Sequence, residues 1–243
     1  MTNDVVFLHG GTAGGWMWDR QVAELPDRTT FAPDIPGYLT RRAEEWTSFD
    51  AVTDRLAAMI ADRTTGAVDV VGLSMGGIVS LHLAQRHPQL VASVFATGVS
   101  VLPYTRGMRV GNAATLALWN RRFYWAGVAR TMGLDGDGAK EFIEQSPPLT
   151  RAGARAQLRE VEPGGVTRLT EISAPVMALV GEQESQYFHR SLREIRTQIP
   201  GAEVGLAPGM HHGWSGEDPR LFNRILRSWL DARARHPELL PAR

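Results

Sequence analysis

Short, continuously apolar runs alternate along this chain with segments whose apolar residues recur every three or four positions. The runs at 5–8, 30–33, 68–73, 90–97, 175–180 and 202–206 have the length and the aliphatic content of strands buried on both faces. Helical spacing marks 16–25, 75–86, 187–198 and 219–235. It also marks 48–63, where Ser48 is placed to cap a helix carrying Val52, Leu56, Met59 and Ile60 at helical spacing. Strands alternating with helices predict a parallel sheet joined by right-handed crossovers. The expected fold class is therefore α/β, with a mostly parallel sheet of about six strands flanked by helices.

The alternation stops between residues 102 and 172. This segment is helical and amphipathic in pattern, clusters Trp119, Phe123, Tyr124 and Trp125, and breaks at 133–138 and 162–165. It reads as a helical cap inserted between two strands. The core then falls into 1–101 and 173–243, two parts of one domain around an insertion at 102–172. Asp135-Gly136-Asp137 has the start of a calcium loop without its later ligands, so no metal is expected.

Composition removes several classes of function. Twenty-six basic residues balance 26 acidic ones, which argues against a nucleic-acid partner and against a polybasic membrane patch. There is no cysteine, so disulfides, thiolate metal sites and cysteine nucleophiles are excluded. No signal peptide and no apolar run of membrane-spanning length is visible. The expectation is a cytoplasmic protein, monomeric or homodimeric, that acts on a small molecule without a cofactor.

The candidate chemistry centres on Gly72-Leu73-Ser74-Met75-Gly76, which joins an apolar strand to a helix. A G-x-S-x-G turn in that setting lifts a serine hydroxyl clear of the sheet, with the amide end of the helix behind it. A serine needs a base to take its proton, and the base needs an acid to orient it. Of the seven histidines, His211 and His212 lie in a loop after the last predicted strand, where loops of a parallel sheet converge on the ligand crevice. His9 instead reads as a brace for the glycine loop at 9–15. Between Asp69 and Asp135 there is no Asp or Glu, which moves the acid to Glu182 or Glu184 after the fifth strand. The order serine, acid, histidine is that of α/β-hydrolases. Two backbone amides must receive the oxyanion. Met75 supplies one, and Gly11 is the best candidate for the second, with Thr12 next.

These residues resemble the α/β-hydrolase superfamily over essentially the whole chain, through His9-Gly10-Gly11, Asp34-Ile35-Pro36-Gly37, the 72–77 turn, the 181–184 loop and the 208–212 loop. The resemblance implies Glu184 as the acid, with Glu182 second, although aspartate is more usual there. It implies His212 as the base, with His211 second. The opening loop is similar to that of the plant methylesterase and hydroxynitrile lyase group. The lyases carry a threonine and a lysine where this chain has Gly10 and Gly213, so hydrolysis is favoured over cyanide release.

The expected reaction is hydrolysis of an ester, thioester or lactone of a small, largely apolar substrate through an acyl-enzyme. The same triad could serve carbon–carbon cleavage, lyase or cyclase chemistry, and a third reading is a non-catalytic small-molecule binding protein. Thr12, Trp16, Trp125 and Trp214 are candidate pocket residues, although each tryptophan also suits a core. Five arginines at 106, 109, 121, 122 and 130, without an acid among them, form either a solvated face or one contact to an anionic substrate.

Overall fold

The strands β1 (Val5–Leu8), β2 (Thr30–Phe31), β3 (Val68–Leu73), β4 (Val91–Thr97), β5 (Val176–Gly181) and β6 (Glu203–Ala207) form one sheet in the order β2-β1-β3-β4-β5-β6. Every neighbouring pair is parallel. The computed structural model describes residues 3–131, 136–166 and 168–242. β1, β3 and β5 are buried along their whole length, as continuous apolar runs require when helices cover both faces.

Two layers of helices supply that cover. On one face α1 (Asp19–Ala23) and α10 (Pro219–Ala232) enclose Phe7, Val71, Phe95 and Met177 together with Trp18, Phe222 and Trp229. On the other face lie α2 (Phe49–Arg63), α3 (Met75–Arg86) and α8 (Gln186–Gln198). Ser48 caps α2 by accepting the Ala51 amide. The short α9 (Trp214–Glu217) precedes α10.

Several boundaries differ from the sequence pattern. The second strand stops at Phe31, before Pro33, which has no amide to give a ladder. The helix expected over 16–25 is a 3-10 turn, Gly15–Trp18, followed by the single turn of α1. The last helix ends at Ala232 because Arg233 turns left-handed (φ 53°), donating to Asp69 at 2.6 Å and to the Trp229 carbonyl.

Among the described residues four α-helices lie between β4 and β5, namely α4 (Arg106–Leu118), α5 (Arg122–Thr131), α6 (Gly136–Gln145) and α7 (Arg151–Val161), followed by a 3-10 turn at Leu169–Glu171. A turn at Gly164 (φ 108°) makes the expected break at 162–165. Of the break expected at 133–138, residues 133–135 lie outside the described residues, while α6 already begins at Gly136. The apolar side chains of this cap continue the cluster on the α2–α3–α8 face. Polar stitches join it to the core as well: Leu39 donates to the Pro148 carbonyl at 2.9 Å, the Phe49 amide to Glu160 at 2.8 Å, and His82 meets the Gly165 carbonyl at 2.7 Å. Among the described residues no helix is long and apolar enough to cross a membrane.

Candidate active site

Because all six strands run the same way, the loops after β1, β3, β4, β5 and β6 gather at one edge of the sheet. β3 delivers Ser74 to that edge in a backbone conformation that few non-glycine residues adopt, φ 55° and ψ −112°. Such a conformation costs about 1–3 kcal/mol and persists only where its surroundings enforce it. Here the Ser74 amide is tied to the Thr97 carbonyl at 2.8 Å, and the glycines on either side permit the tight crossing. A Cβ on Gly76 would lie 2.0 Å from the Leu8 carbonyl oxygen, and one on Gly72 would lie 2.4 Å from that of Gly76. Ser74 occupies the N-cap position of α3, yet its side chain makes no capping bond, so the hydroxyl remains available for chemistry.

The loop after β5 brings Glu184 beneath His212. One carboxylate oxygen accepts the Gly181 amide at 3.1 Å and the other meets His212 Nδ1 at 2.7 Å. The Glu184 side chain is only 3 % exposed, whereas that of His212 is 43 % exposed, so the carboxylate is sheltered and the imidazole is open to solvent. The imidazole rests on Gly98, where a Cβ would come within 2.7 Å of the ring, and Phe188 flanks it at 5.1 Å between ring centres. Gly98 directly follows Thr97, whose carbonyl holds the Ser74 amide, so the histidine ring and the serine stand on adjoining strand ends. With Nδ1 committed to Glu184, Nε2 is the nitrogen left to act as base.

The alternatives point elsewhere. Glu182 is exposed and accepts the Gly209 amide at 2.8 Å, which fixes the histidine loop from outside. The His211 side chain is 69 % exposed and pairs with Glu217 at 2.9 Å.

The two residues proposed to supply oxyanion amides are neighbours, since a Cβ on Gly11 would lie 3.6 Å from the Met75 Cβ. Behind Gly11, His9 is fully buried, and burial pushes its imidazole down to about 4. It is therefore neutral. Its Nε2 accepts the Ile35 amide at 2.9 Å, which leaves the proton on Nδ1 to be donated to the Gly10 carbonyl at 2.9 Å. Asp34 fixes the far end of the same loop through the Gly15 amide at 2.9 Å.

Thr12 and Trp16 border a narrow crevice that Leu39 closes from the core and Phe142, Ser146 and Pro148 close from the cap side. The other two candidate pocket tryptophans are core residues. Trp125 is 1 % exposed, donates its indole N–H to the Trp119 carbonyl at 2.6 Å and packs within the cap against Trp119 and Phe142. Trp214 is fully buried, donates to Thr97 Oγ1 at 2.6 Å and lies on Phe222. An indole that satisfies its own N–H inside a packed cluster has nothing to offer a ligand. The five cap arginines are all exposed. A cavity of about 370 Å³ lies between α1 and α10 and is lined by none of these groups. Gly98, Tyr38 and Gln157 were not singled out in the sequence. Only the glycine that ends β4 offered a signal there.

The model of the alpha/beta hydrolase family matches residues 5–225. The chain belongs to that family. It is thus a hydrolase, and the proteins it resembles include, by name, a lipase, methyl ester esterases and a carboxylate synthase. It is 40% identical to the lipase LipV of Mycobacterium tuberculosis over 91 residues, 37% of this chain and 34% of that protein, so the match spans about a third of that relative's length. It is 27% identical to the pimeloyl-[acyl-carrier protein] methyl ester esterase of Neisseria meningitidis over 232 residues, covering 86% of this chain and 88% of that one. Among solved structures, the enol-lactonase of Burkholderia xenovorans shares the fold with a TM-score of 0.80 and 17% identity, over 95% of this chain and 92% of that one.

Proposed function

We propose that this protein is a serine hydrolase that cleaves an ester, thioester or lactone of a small, largely apolar substrate through an acyl-enzyme. One observation carries the reading. His212 is joined to a sheltered carboxylate through Nδ1 at 2.7 Å, and its ring stands on the strand end that also anchors the strained Ser74.

In this mechanism His212 Nε2 takes the Ser74 proton as Oγ attacks the substrate carbonyl, and Glu184 stabilises the imidazolium. The oxyanion that forms accepts from the Gly11 and Met75 amides, at the positive end of α3. Collapse of the tetrahedral adduct breaks the bond to the leaving alcohol or thiol, which takes the proton from His212. Water, deprotonated by the same nitrogen, then releases the acid and restores Ser74. In this reading Thr12 and Trp16, with Leu39 and Phe142 beside them, border the substrate entrance. The esterase relatives cited above support ester chemistry as the class.

Short p-nitrophenyl esters test the reading. Ser74→Ala should remove turnover by a factor on the order of 10⁶, as nucleophile loss does in similar triads. Substantial activity in that variant would defeat the proposal. Products lacking oxygen from ¹⁸O-labelled water would move the enzyme to lyase or cyclase chemistry.

A further inference from the structure

The second oxyanion donor sits in a segment with little stiffness of its own. Gly10 and Gly11 both lack a Cβ, so the peptide between them could rotate at small cost. The C=O of Gly10 and the N–H of Gly11 belong to that one planar trans peptide and point in opposite directions. Whatever pins the carbonyl therefore aims the amide. Two donors pin it, His9 Nδ1 at 2.9 Å and the Ala13 amide at 3.1 Å.

The His9 ring is held in turn. The Ile35 amide fixes its other nitrogen at 2.9 Å, and the edge of Tyr38 packs against it with ring centres 5.0 Å apart. The Tyr38 hydroxyl lies 3.6 Å from where a Gly11 Cβ would be, and it accepts the side-chain amide of Gln157 at 2.6 Å. Tyr38 and Gln157 are both buried, and Gln157 belongs to cap helix α7. A continuous buried chain of contacts thus runs from the cap to the oxyanion peptide.

We infer that His9 is a positioning residue, which aims the Gly11 amide by holding the Gly10 carbonyl, and that Gln157 couples the seating of the cap to that aim through Tyr38. His9 does not touch substrate. Its donated hydrogen bond also polarises the peptide and makes the Gly11 N–H a stronger donor. This inference rests on the serine-hydrolase reading, which Ser74→Ala tests separately.

Two substitutions divide the two hydrogen bonds of His9. His9→Asn keeps an N–H near the Nδ1 position, and His9→Gln keeps an acceptor near the Nε2 position. With p-nitrophenyl butyrate, folded His9→Gln should lose about 10- to 100-fold in kcat with KM within about threefold, a part of the 10²–10³ that loss of a whole oxyanion donor costs. His9→Asn should recover kcat to within about threefold of wild type, whereas Gln157→Leu should lower kcat by about tenfold with KM little changed, and wild-type kcat in Gln157→Leu would overturn the coupling to the cap. The Gly11 amide nitrogen resonance should move in His9→Gln and stay in place in His9→Asn, a readout independent of turnover. Wild-type kcat in His9→Gln, or an unmoved Gly11 resonance, would overturn the inference. An inactive wild type with the resonance shifted in His9→Gln would instead overturn the hydrolase reading and leave the positioning role standing.

Discussion

Gly98 has no chemistry of its own, yet the arrangement of the site predicts that adding one methyl group there disables the enzyme. A Cβ at this position would lie 2.7 Å from His212 Cε1 and 2.9 Å from Nδ1. Ordinary carbon–carbon contact begins near 3.5 Å, so the ring must retreat by about 0.8 Å or tilt. Either movement disturbs the bond from Nδ1 to Glu184, now at 2.7 Å, and shifts Nε2 relative to Ser74. Misplacement of a reacting group by about 1 Å costs on the order of 10²-fold in rate. The φ of +61° adds a second cost, since an alanine in that region is strained by about 1–2 kcal/mol. For a chain of 243 residues that strain lowers Tm by a few degrees only. Gly98→Ala should therefore fold, melt slightly early and lose about 100-fold in kcat on p-nitrophenyl esters. Gly201→Ala separates the two costs, because Gly201 has φ +75° with nothing within 4 Å of the added methyl. It should show comparable strain and wild-type turnover. A Gly98→Ala enzyme within threefold of wild type, or equal losses in both variants, would refute the argument.

Two further tests follow from the same geometry. Glu184→Gln should cut kcat by a factor on the order of 10²–10⁴, because a carboxamide cannot hold the histidine in the required tautomer and charge state. Glu182→Gln and His211→Gln, at exposed positions that bond to the loop from outside, should stay within a few-fold of wild type in the same assay. Stability should also fall in acid through His9, whose burial lowers it from 6.5 to about 4. The folded protein keeps this ring neutral while the unfolded chain protonates it, so the contribution is complete above 6.5 and is lost as pH falls towards 4. At about 1.4 kcal/mol per pH unit across that window, the effect is on the order of 3 kcal/mol. His82, also lowered by burial, acts in the same direction. Urea midpoints measured between pH 7 and 4.5 should therefore fall faster for wild type than for His9→Gln, and parallel curves would show that His9 is not buried neutral.

Much of the framework was legible before any fold was known, because its signals are local. Continuous apolar runs marked the strands, and β1 and β3 begin and end where the pattern placed them. Ser48 announced the start of α2, and the glycines around Ser74 announced a turn that only a close backbone approach requires. The acid-free stretch from 70 to 134 removed the loop after β4 as a source of the carboxylate without any geometry at all. Other features depend on what packs beside a residue, and no local pattern carries that. Residue spacing left Glu182 and Glu184 both open and only the family resemblance ranked Glu184 first; the fold adds that Glu184 is sheltered under His212 while Glu182 faces outward. Trp16, Trp125 and Trp214 look alike in the chain. Burial separates one at the crevice from two that satisfy their own indole N–H in packed interiors. Gln157 and Tyr38 are 119 positions apart, and only the folding of the cap onto the core makes them partners at 2.6 Å. The chain by itself determined the elements and the kinds of chemical group available, since backbone sterics and apolar periodicity act over a few residues. The tertiary structure decided which of those groups meet, since hydrogen bonding and burial depend on neighbours distant in sequence.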